Sequence, residues 1–373
     1  MCYHGSLLSL FNKAVNLAAL DSASVSLYWC CSLRLATPAQ RNTFNPLELK
    51  IDTMTRETLR FKVKRKTESK QEGVVTSEVA HGDPQKGFLD GVAINPFECI
   101  SLESGSTEHT TRAIDLISPI GMGQRGLIVA PPGCGKTTML KHICQAVGKA
   151  HPEVKLYALL IDERPEEVTD FKRSVPAQVH ASSSDDSYDQ HARVANDLLS
   201  IAIREAGEGH NVLIVIDSLT RLARVHNAKR KSSGRTMSGG LDANAMAIPR
   251  KLFGAARKIE NGGSLTILAT ILVDTGSQMD QVIFEEFKGT GNMEVVLSRD
   301  VASLRIFPAL DISKSSTRRE ELLLKASDIG AVRSLRRSLS DLKPEESAKK
   351  LVEWLEEYPT NAELLSAIKS GNA

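Results

Sequence analysis

The sequence predicts an α/β fold, a mostly parallel sheet flanked by helices, and three observations carry that expectation. From Ile114 onward, short apolar runs alternate with amphipathic runs, the rhythm of strand, helix and strand in a parallel sheet. The apolar runs are nearly continuous, as strands covered on both faces are. Between one such run and the helix after it lies Ala130-Pro131-Pro132-Gly133-Cys134-Gly135-Lys136-Thr137-Thr138, a glycine-rich loop of the kind that cradles phosphate.

The elements follow in order. Strands are expected at 126–130, 156–161, 178–182, 211–216 and 265–272, each a β-branched or leucine-rich run. Helices are expected at 136–149, 165–173, 189–206, 242–260 and 279–287, then two terminal helices at 344–357 and 361–369. Pro344 and Asn361 suit helix starts, and Gly371 suits a stop. Upstream, 73–102 reads as short β-like pieces split by Gly and Pro, and 103–111 is a polar boundary. Residues 56–70 are basic and read first as a solvated linker, second as an RNA-binding arm. Residues 1–53 carry no usable periodicity and are an uncertain extension: an over-extended start, a poorly ordered tail or an added segment. The expected division is 1–53, a divergent region or linker at 54–110, an NTP-binding domain at 111–340, and C-terminal helices at 341–373.

Composition narrows the function classes. At 373 residues, with 41% hydrophobic and 25% charged content, the chain is an ordinary globular sequence. A net charge of +2 gives no global pull toward nucleic acid or membrane, so any basic function must be local. The six cysteines form no Cys-x-x-Cys pair and no zinc-spaced set with histidine. Scattered free thiols suit a reducing cytoplasm, and no run of 18 apolar residues suggests a membrane span.

The chemistry starts at the phosphate loop. Gly133 and Gly135 let backbone N–H groups turn inward around a triphosphate. Lys136 offers an ammonium to the β- and γ-phosphates, and Thr137 a hydroxyl to Mg²⁺. The following helix adds its positive end. The apolar strand 211–216 ends in Asp217, a carboxylate placed to hold Mg²⁺ through water, or else to cap a helix. The strand 156–161 ends in Asp162-Glu163-Arg164. Glu163 is the chosen base for the attacking water, against a salt-bridge role with Arg164. Ser218–Leu241 holds six Arg and Lys residues and no acid, and its Ser- and Gly-rich second part reads as a flexible basic loop. A second Gly-rich loop, Phe287–Asn292, offers Lys288 to a backbone phosphate, beside the opposing Glu285 and Glu286. Arg305, Arg318 and Arg319 follow the sheet. In a monomer they are surface residues; in a ring, one such arginine reaches a neighbour's γ-phosphate.

Several stretches together resemble one family. They are Ile114-Asp-Leu-Ile-Ser-Pro-Ile-Gly-Met-Gly-Gln-Arg-Gly-Leu-Ile-Val-Ala-Pro-Pro132, Leu159-Leu-Ile-Asp-Glu-Arg-Pro-Glu-Glu-Val168, Ile216-Asp-Ser-Leu-Thr-Arg-Leu-Ala-Arg224, Phe284-Glu-Glu-Phe-Lys-Gly-Thr-Gly-Asn-Met-Glu294 and Arg305-Ile-Phe-Pro-Ala-Leu-Asp311. They resemble bacterial transcription termination factors of the Rho family, from about Glu103 to the C-terminus. The resemblance implies a RecA-like P-loop NTPase with a small C-terminal helical part and a small divergent N-terminal region. It implies a homo-hexameric, cytoplasmic ATPase that uses ATP and Mg²⁺, draws single-stranded nascent RNA through a central pore and releases it from RNA polymerase. It also implies roles. Pro132 to Thr138 hold the phosphates, with Thr137 and Asp217 on the metal. Glu163 is the base with Arg164 beside it, Arg318 is an arginine finger in trans supported by Arg305, and Phe307 stacks on adenine. Residues 229–242, with Arg235, Gly239 and Gly240, are implied as one RNA loop, and 275–291, with Lys288, Gly289 and Thr290, as the other.

This chain departs from the family in places. Gly133 stands where familiar members carry a lysine, Gln278 replaces a pore-loop lysine, and Arg235 replaces another with its charge kept. The Gly-Phe-Gly-Phe-like aromatic core of the family's RNA-binding barrel is not found in 54–102. Two other readings share the scaffold: an RNA-independent ring ATPase of the rotary or secretion type, and a catalytically silent RNA-binding ring subunit.

Overall fold

A computed structural model of the protein describes residues 83–229, 238–242 and 244–371, apart from the Lys229 side chain. The expectations for 1–53, for 54–82 and for Arg235 lie outside the described residues.

The strands are β1 (Ala93–Ile94), β2 (Arg125–Ala130), β3 (Lys155–Glu163), β4 (Gln178–Ser183), β5 (Asn211–Asp217), β6 (Arg257–Ile259), β7 (Ser264–Leu272), β8 (Met293–Val296) and β9 (Ser316–Thr317). They form one sheet. Its parallel part runs β4-β3-β5-β7-β2-β8, with β9 antiparallel beside β8. β6 pairs antiparallel with β7, and β1 with β6. Because the long strands are parallel, β2, β3, β5 and β7 all end on the same edge, where an α/β sheet presents its ligand site.

The helices are α1 (Pro84–Asp90), α2 (His109–Ile117), α3 (Lys136–Ala150), α4 (Pro165–Ser174), α5 (Tyr188–Gly207), α6 (Leu219–Lys229), α7 (Ala247–Gly254), α8 (Gln278–Lys288), α9 (Arg299–Ser303), α10 (Ile329–Ser340), α11 (Pro344–Glu357) and α12 (Asn361–Ser370). Their ends follow local chemistry. Pro165 opens α4, with Glu166 and Glu167 in its first turn and Lys172 and Arg173 in its last, each charge matched to the helix dipole. The Ser187 hydroxyl caps α5 by accepting from Gln190 N at 3.3 Å.

Alternate side chains of each strand feed two cores, one per face. Ile128, Ala158, Leu160, Leu213, Val215 and Leu268 pack under α2, α3 and the C-terminal helices α10–α12. Leu127, Val129, Leu159, Ile161, Ile214, Ile216 and Ile267 pack under α5, α6 and α8. Burial on both faces is the physical reason that these strands read as unbroken apolar runs.

The five expected strands are present within two residues of their expected ends. The helix expected over 242–260 is a correction: α7 covers only Ala247–Gly254, and β6 follows. Pro249 cannot continue a helix upstream, because it lacks the N–H and its ring crowds the turn before it. After Gly254, Arg257–Ile259 pair with β7, so tertiary pairing overrides the helical propensity of the alanines. In the expected β-like region 73–102, the described part contains α1 and the two-residue β1. The basic stretch after Asp217 begins as the ordered helix α6, with Leu219, Leu222, Ala223 and Val225 buried.

Candidate nucleotide site

The loop between β2 and α3 turns through two left-handed glycines, Gly133 at φ 81° and Gly135 at φ 83°. A side chain at either position would be strained, and at Gly133 the space beyond the backbone is open: an added Cβ would meet only the Arg299 guanidinium, at 3.8 Å. Arg299 also donates from Nη1 to the Pro132 carbonyl at 2.5 Å, bracing the loop from α9. Pro132 and Thr138 are exposed, while the Cys134 thiol is buried. Burial pushes that thiol above its usual range, so it fills space and is not a ready nucleophile.

Lys136, Thr137 and Asp217 converge at this edge. Lys136 Nζ lies 2.8 Å from both Asp217 carboxylate oxygens, and Thr137 Oγ1 donates to Asp217 Oδ2 at 3.2 Å. Asp217 is buried at 1% exposure. Thr270 on β7 donates to its other oxygen at 2.8 Å and fixes the carboxylate plane. A buried carboxylate, a hydroxyl and an ammonium meeting beside an open, glycine-turned loop fit a Mg²⁺-bound polyphosphate, which needs one or two protein oxygens and donors for the rest.

Glu163 reaches the same edge through a local irregularity that sequence reasoning missed. Asp162 sits at φ 55°, and the β3–β4 register shifts between Ile161 and Glu163. Such a bulge re-aims the next side chain, a device found beside active sites. Glu163 is 2% exposed. Arg221 Nη2 on α6 stands 2.9 Å from Glu163 Oε2, yet its N–H is not aligned on that oxygen, which has no hydrogen-bond donor among the described residues. Arg221 also donates to the Asp162 carbonyl. Burial first, then the Asp217 carboxylate, pushes the Glu163 carboxyl up to about 7, against the pull of Arg221 and Lys136. The result is a carboxyl poised near neutrality, ion-paired with Arg221 but with no hydrogen bond to its Oε2 among the described residues. Arg164 is exposed, 3.8 Å from Glu167, so the expected salt-bridge alternative to a base role belongs to Arg221 instead.

Phe307 is half-exposed and lies against the loop: an added Cβ on Gly135 would stand 3.6 Å from its ring. Arg305 is exposed nearby in sequence, at φ 60°. Arg318 is elsewhere. Its N–H donates to the Asn292 carbonyl at 2.9 Å beside the start of β8, at the amino edge of the parallel strands. β2 alone separates that edge from the phosphate loop by roughly 17 Å, so Arg318 and Lys136 of one chain are not brought together.

The candidate RNA residues also divide. Gly239 packs on the first turn of α8, where an added Cβ would stand 2.6 Å from Met279 N. Asn227 ties the Gly240 carbonyl at 3.3 Å and Asp242 N at 2.8 Å. Lys288, Gly289 and Thr290 lie at the other end of α8, about 15 Å away along its axis. There the Thr290 carbonyl accepts from Arg125 Nε at 3.1 Å.

Sequence reasoning missed Arg221, Arg299 and Thr270. Arg221 had a signal: the i, i+3, i+4 burial of Leu219, Leu222 and Ala223 marks a helix that would carry Arg221 back over β3.

The comparisons with known proteins fit this geometry. The profile of the ATP synthase alpha/beta family, nucleotide-binding domain, matches residues 110–317. The chain is 50% identical over 282 residues to the transcription termination factor Rho of Streptobacillus moniliformis, covering 75% of this chain and 67% of that protein. It is 47% identical over 286 residues to the Rho of Karelsulcia muelleri, covering 77% and 76%. The chain belongs to the transcription termination factor Rho family. Against the Rho of Micrococcus luteus it is 50% identical over 295 residues but spans only 43% of that protein's length. Among solved structures, a prototypical ATPase from the type III secretion system of pathogenic bacteria superposes with a TM-score of 0.63 at 23% identity, over 76% of this chain and 87% of that one. The assembled type III secretion ATPase EscN gives 0.61 at 22% identity. These two likenesses are likenesses of fold. The region matched by the ATP synthase alpha/beta profile, residues 110–317, contains every residue of the site just described except Arg318, which adjoins its end. No helix among the described residues is long and apolar enough to cross a membrane.

Proposed function

We propose that the chain is an ATP-dependent RNA translocase that terminates transcription by releasing nascent RNA from RNA polymerase, working in the cytoplasm as a homo-hexamer. The observation that carries this reading is the convergence of Lys136, Thr137, Asp217 and Glu163 on one sheet edge, in a member of the Rho family. Lys136 moves from Asp217 to the β- and γ-phosphates when ATP enters, and Pro132 to Thr138 wrap the phosphates with their N–H groups. Thr137 and Asp217 would hold Mg²⁺, which when bound would draw off charge from the phosphate oxygens. Glu163 orients the attacking water and takes its proton on the carboxylate, which Arg221 faces as an ion pair. Phe307 stacks on the adenine and Arg305 supports the site from the same loop. Arg164 flanks the base.

Arg318 acts on the nucleotide of an adjoining copy. Its position on the far edge, with a side chain that makes no hydrogen bond or ion pair among the described residues, favours this over a role in its own pocket. Residues 229–242, with Arg235, Gly239 and Gly240, and residues 275–291, with Lys288, Gly289 and Thr290, are the proposed grips on single-stranded RNA, with Gly239 and the first turn of α8 already in contact. α6 links grip to chemistry: Arg221 near its start touches the base, and Arg224, one turn on, pairs with Asp280 of α8. Residues 111–340 form the ATPase domain and 341–373 its C-terminal helices in this reading.

The test is ATP hydrolysis with and without poly(C) RNA, for the protein and for Glu163→Gln. The expected result is RNA-stimulated turnover that the substitution lowers about 10²-fold or more while nucleotide binding persists. RNA-indifferent turnover contradicts the translocase, and no turnover at all contradicts the enzyme.

A further inference from the structure

The stretch Phe287–Asn292 does more at the amino edge of the sheet than a phosphate contact requires. Asn292 is bonded from several sides. Its backbone carbonyl accepts the Arg318 N–H at 2.9 Å and Gln124 Nε2 at 3.1 Å. Its side-chain Oδ1 accepts Gln124 Nε2 at 2.7 Å and the Arg125 N–H at 2.8 Å. Gln124 is 1% exposed and turns its amide nitrogen wholly to Asn292, leaving its Oε1 buried without a donor. A buried amide left half-satisfied marks an orientation that the surroundings impose.

The strand held in this way is short. β9 is two residues long and pairs with β8 only at Met293–Thr317 and Glu294–Ser316, too few ladder bonds to set the direction of the residue that follows. Side chains supply the rest. Thr317 Oγ1 donates to the Pro119 carbonyl at 2.8 Å, and Arg336 Nη2 to the Ser315 carbonyl at 2.6 Å. Arg319 is paired with Glu321, and Arg336 is spent on carbonyls, whereas the Arg318 guanidinium has no partner among the described residues. Two further cations share the edge. Arg125 is pushed toward its neutral form by burial first, then by Arg257 and Arg318.

We infer that Gln124 and Asn292 are positioning residues, a clamp that aims Arg318 outward from the amino edge at the nucleotide of an adjoining copy. The inference rests on the role of Arg318 proposed above. It assigns Asn292, the residue that follows the proposed RNA loop 275–291, a function in catalysis across the seam.

The test is a double-mutant cycle on assembled rings with Asn292→Ala, Arg318→Ala and the double variant. It reads kcat, KM for ATP and affinity for ADP with aluminium fluoride, which mimics the transferring phosphoryl group. A displaced finger is expected to lower kcat by about 10²-fold, with KM within about threefold and weakened binding of the analogue. The double variant should be no slower than Arg318→Ala, because Asn292 acts only through it. Multiplied losses in the double variant overturn the clamp in favour of a general structural role. Wild-type turnover in Asn292→Ala, with Arg318→Ala slow, also overturns it. Wild-type turnover in Arg318→Ala overturns the reading of Arg318 and the clamp with it. Gln124→Met removes the Nε2 donor at nearly constant volume, and it carries the same readings if Asn292→Ala yields no folded rings.

Discussion

The base role proposed for Glu163 rests on what surrounds it. The carboxyl is buried, sees Asp217 across the site and is ion-paired with Arg221, with no hydrogen bond to its Oε2 among the described residues. A base must be ionised to accept a proton, and this one is pushed up to about 7. The kcat/KM for ATP should therefore fall as pH drops through about 7, since that parameter reports the free enzyme. A profile flat from about pH 6 to 8 would contradict the assignment. Thr270 offers a second check. Thr270→Val removes the hydroxyl that fixes Asp217 Oδ1 at nearly constant volume. It should raise the Mg²⁺ concentration needed for half-maximal turnover by about tenfold, as loss of an outer-shell partner does; an unchanged Mg²⁺ requirement would show that Asp217 needs no such support.

Elements explain which parts of the site the sequence disclosed. The central strands β3 and β5 are covered on both faces, so their apolar runs are unbroken and their ends are marked by the first polar residue: Asp217 on β5, and Asp162-Glu163 on β3. The phosphate loop declares itself through two glycines and a lysine at fixed spacing. The bulge at Asp162 has no such signature, because a left-handed Asp looks like any other acid in sequence. α6 was hidden because its basic outer face suggested a loop, and α7 was over-extended because alanines favour helix until β7 claims Arg257–Ile259. Gln124 and Asn292 sat within recognised stretches, but their bond to one another joins positions far apart in the chain. The C-terminal helices show the same long-range dependence. Arg112 on α2, itself 2% exposed, donates to the Leu355 and Tyr358 carbonyls at 2.6 and 2.7 Å and to Asn361 Oδ1 at 3.3 Å. Arg112→Met should cost about 3–5 kcal/mol through buried carbonyls left unpaired, read as a lower urea midpoint. A loss under about 1 kcal/mol would mean that the apolar contacts of Leu351, Trp354 and Leu355 hold these helices without it.

At the scale of the whole molecule, the proposal gives one chain two half-sites on opposite edges of its sheet. The phosphate loop, Asp217 and Glu163 occupy the carboxyl edge, and Arg318 with its clamp occupies the amino edge. In the proposed reading, head-to-tail contact between copies joins the halves, and such a heterologous contact closes into a ring when its rotation permits. The catalytic unit is then a seam, which no single chain can form. Subunit mixing tests that claim most directly. Rings of Glu163→Gln and rings of Arg318→Ala are each prepared inactive, dissociated, combined in equal amounts and reassembled, and ATP turnover is measured. Random reassembly should join an intact base to an intact arginine at roughly a quarter of the seams. Turnover well above either parent is the predicted result, and turnover that stays at the level of the parents would contradict the account.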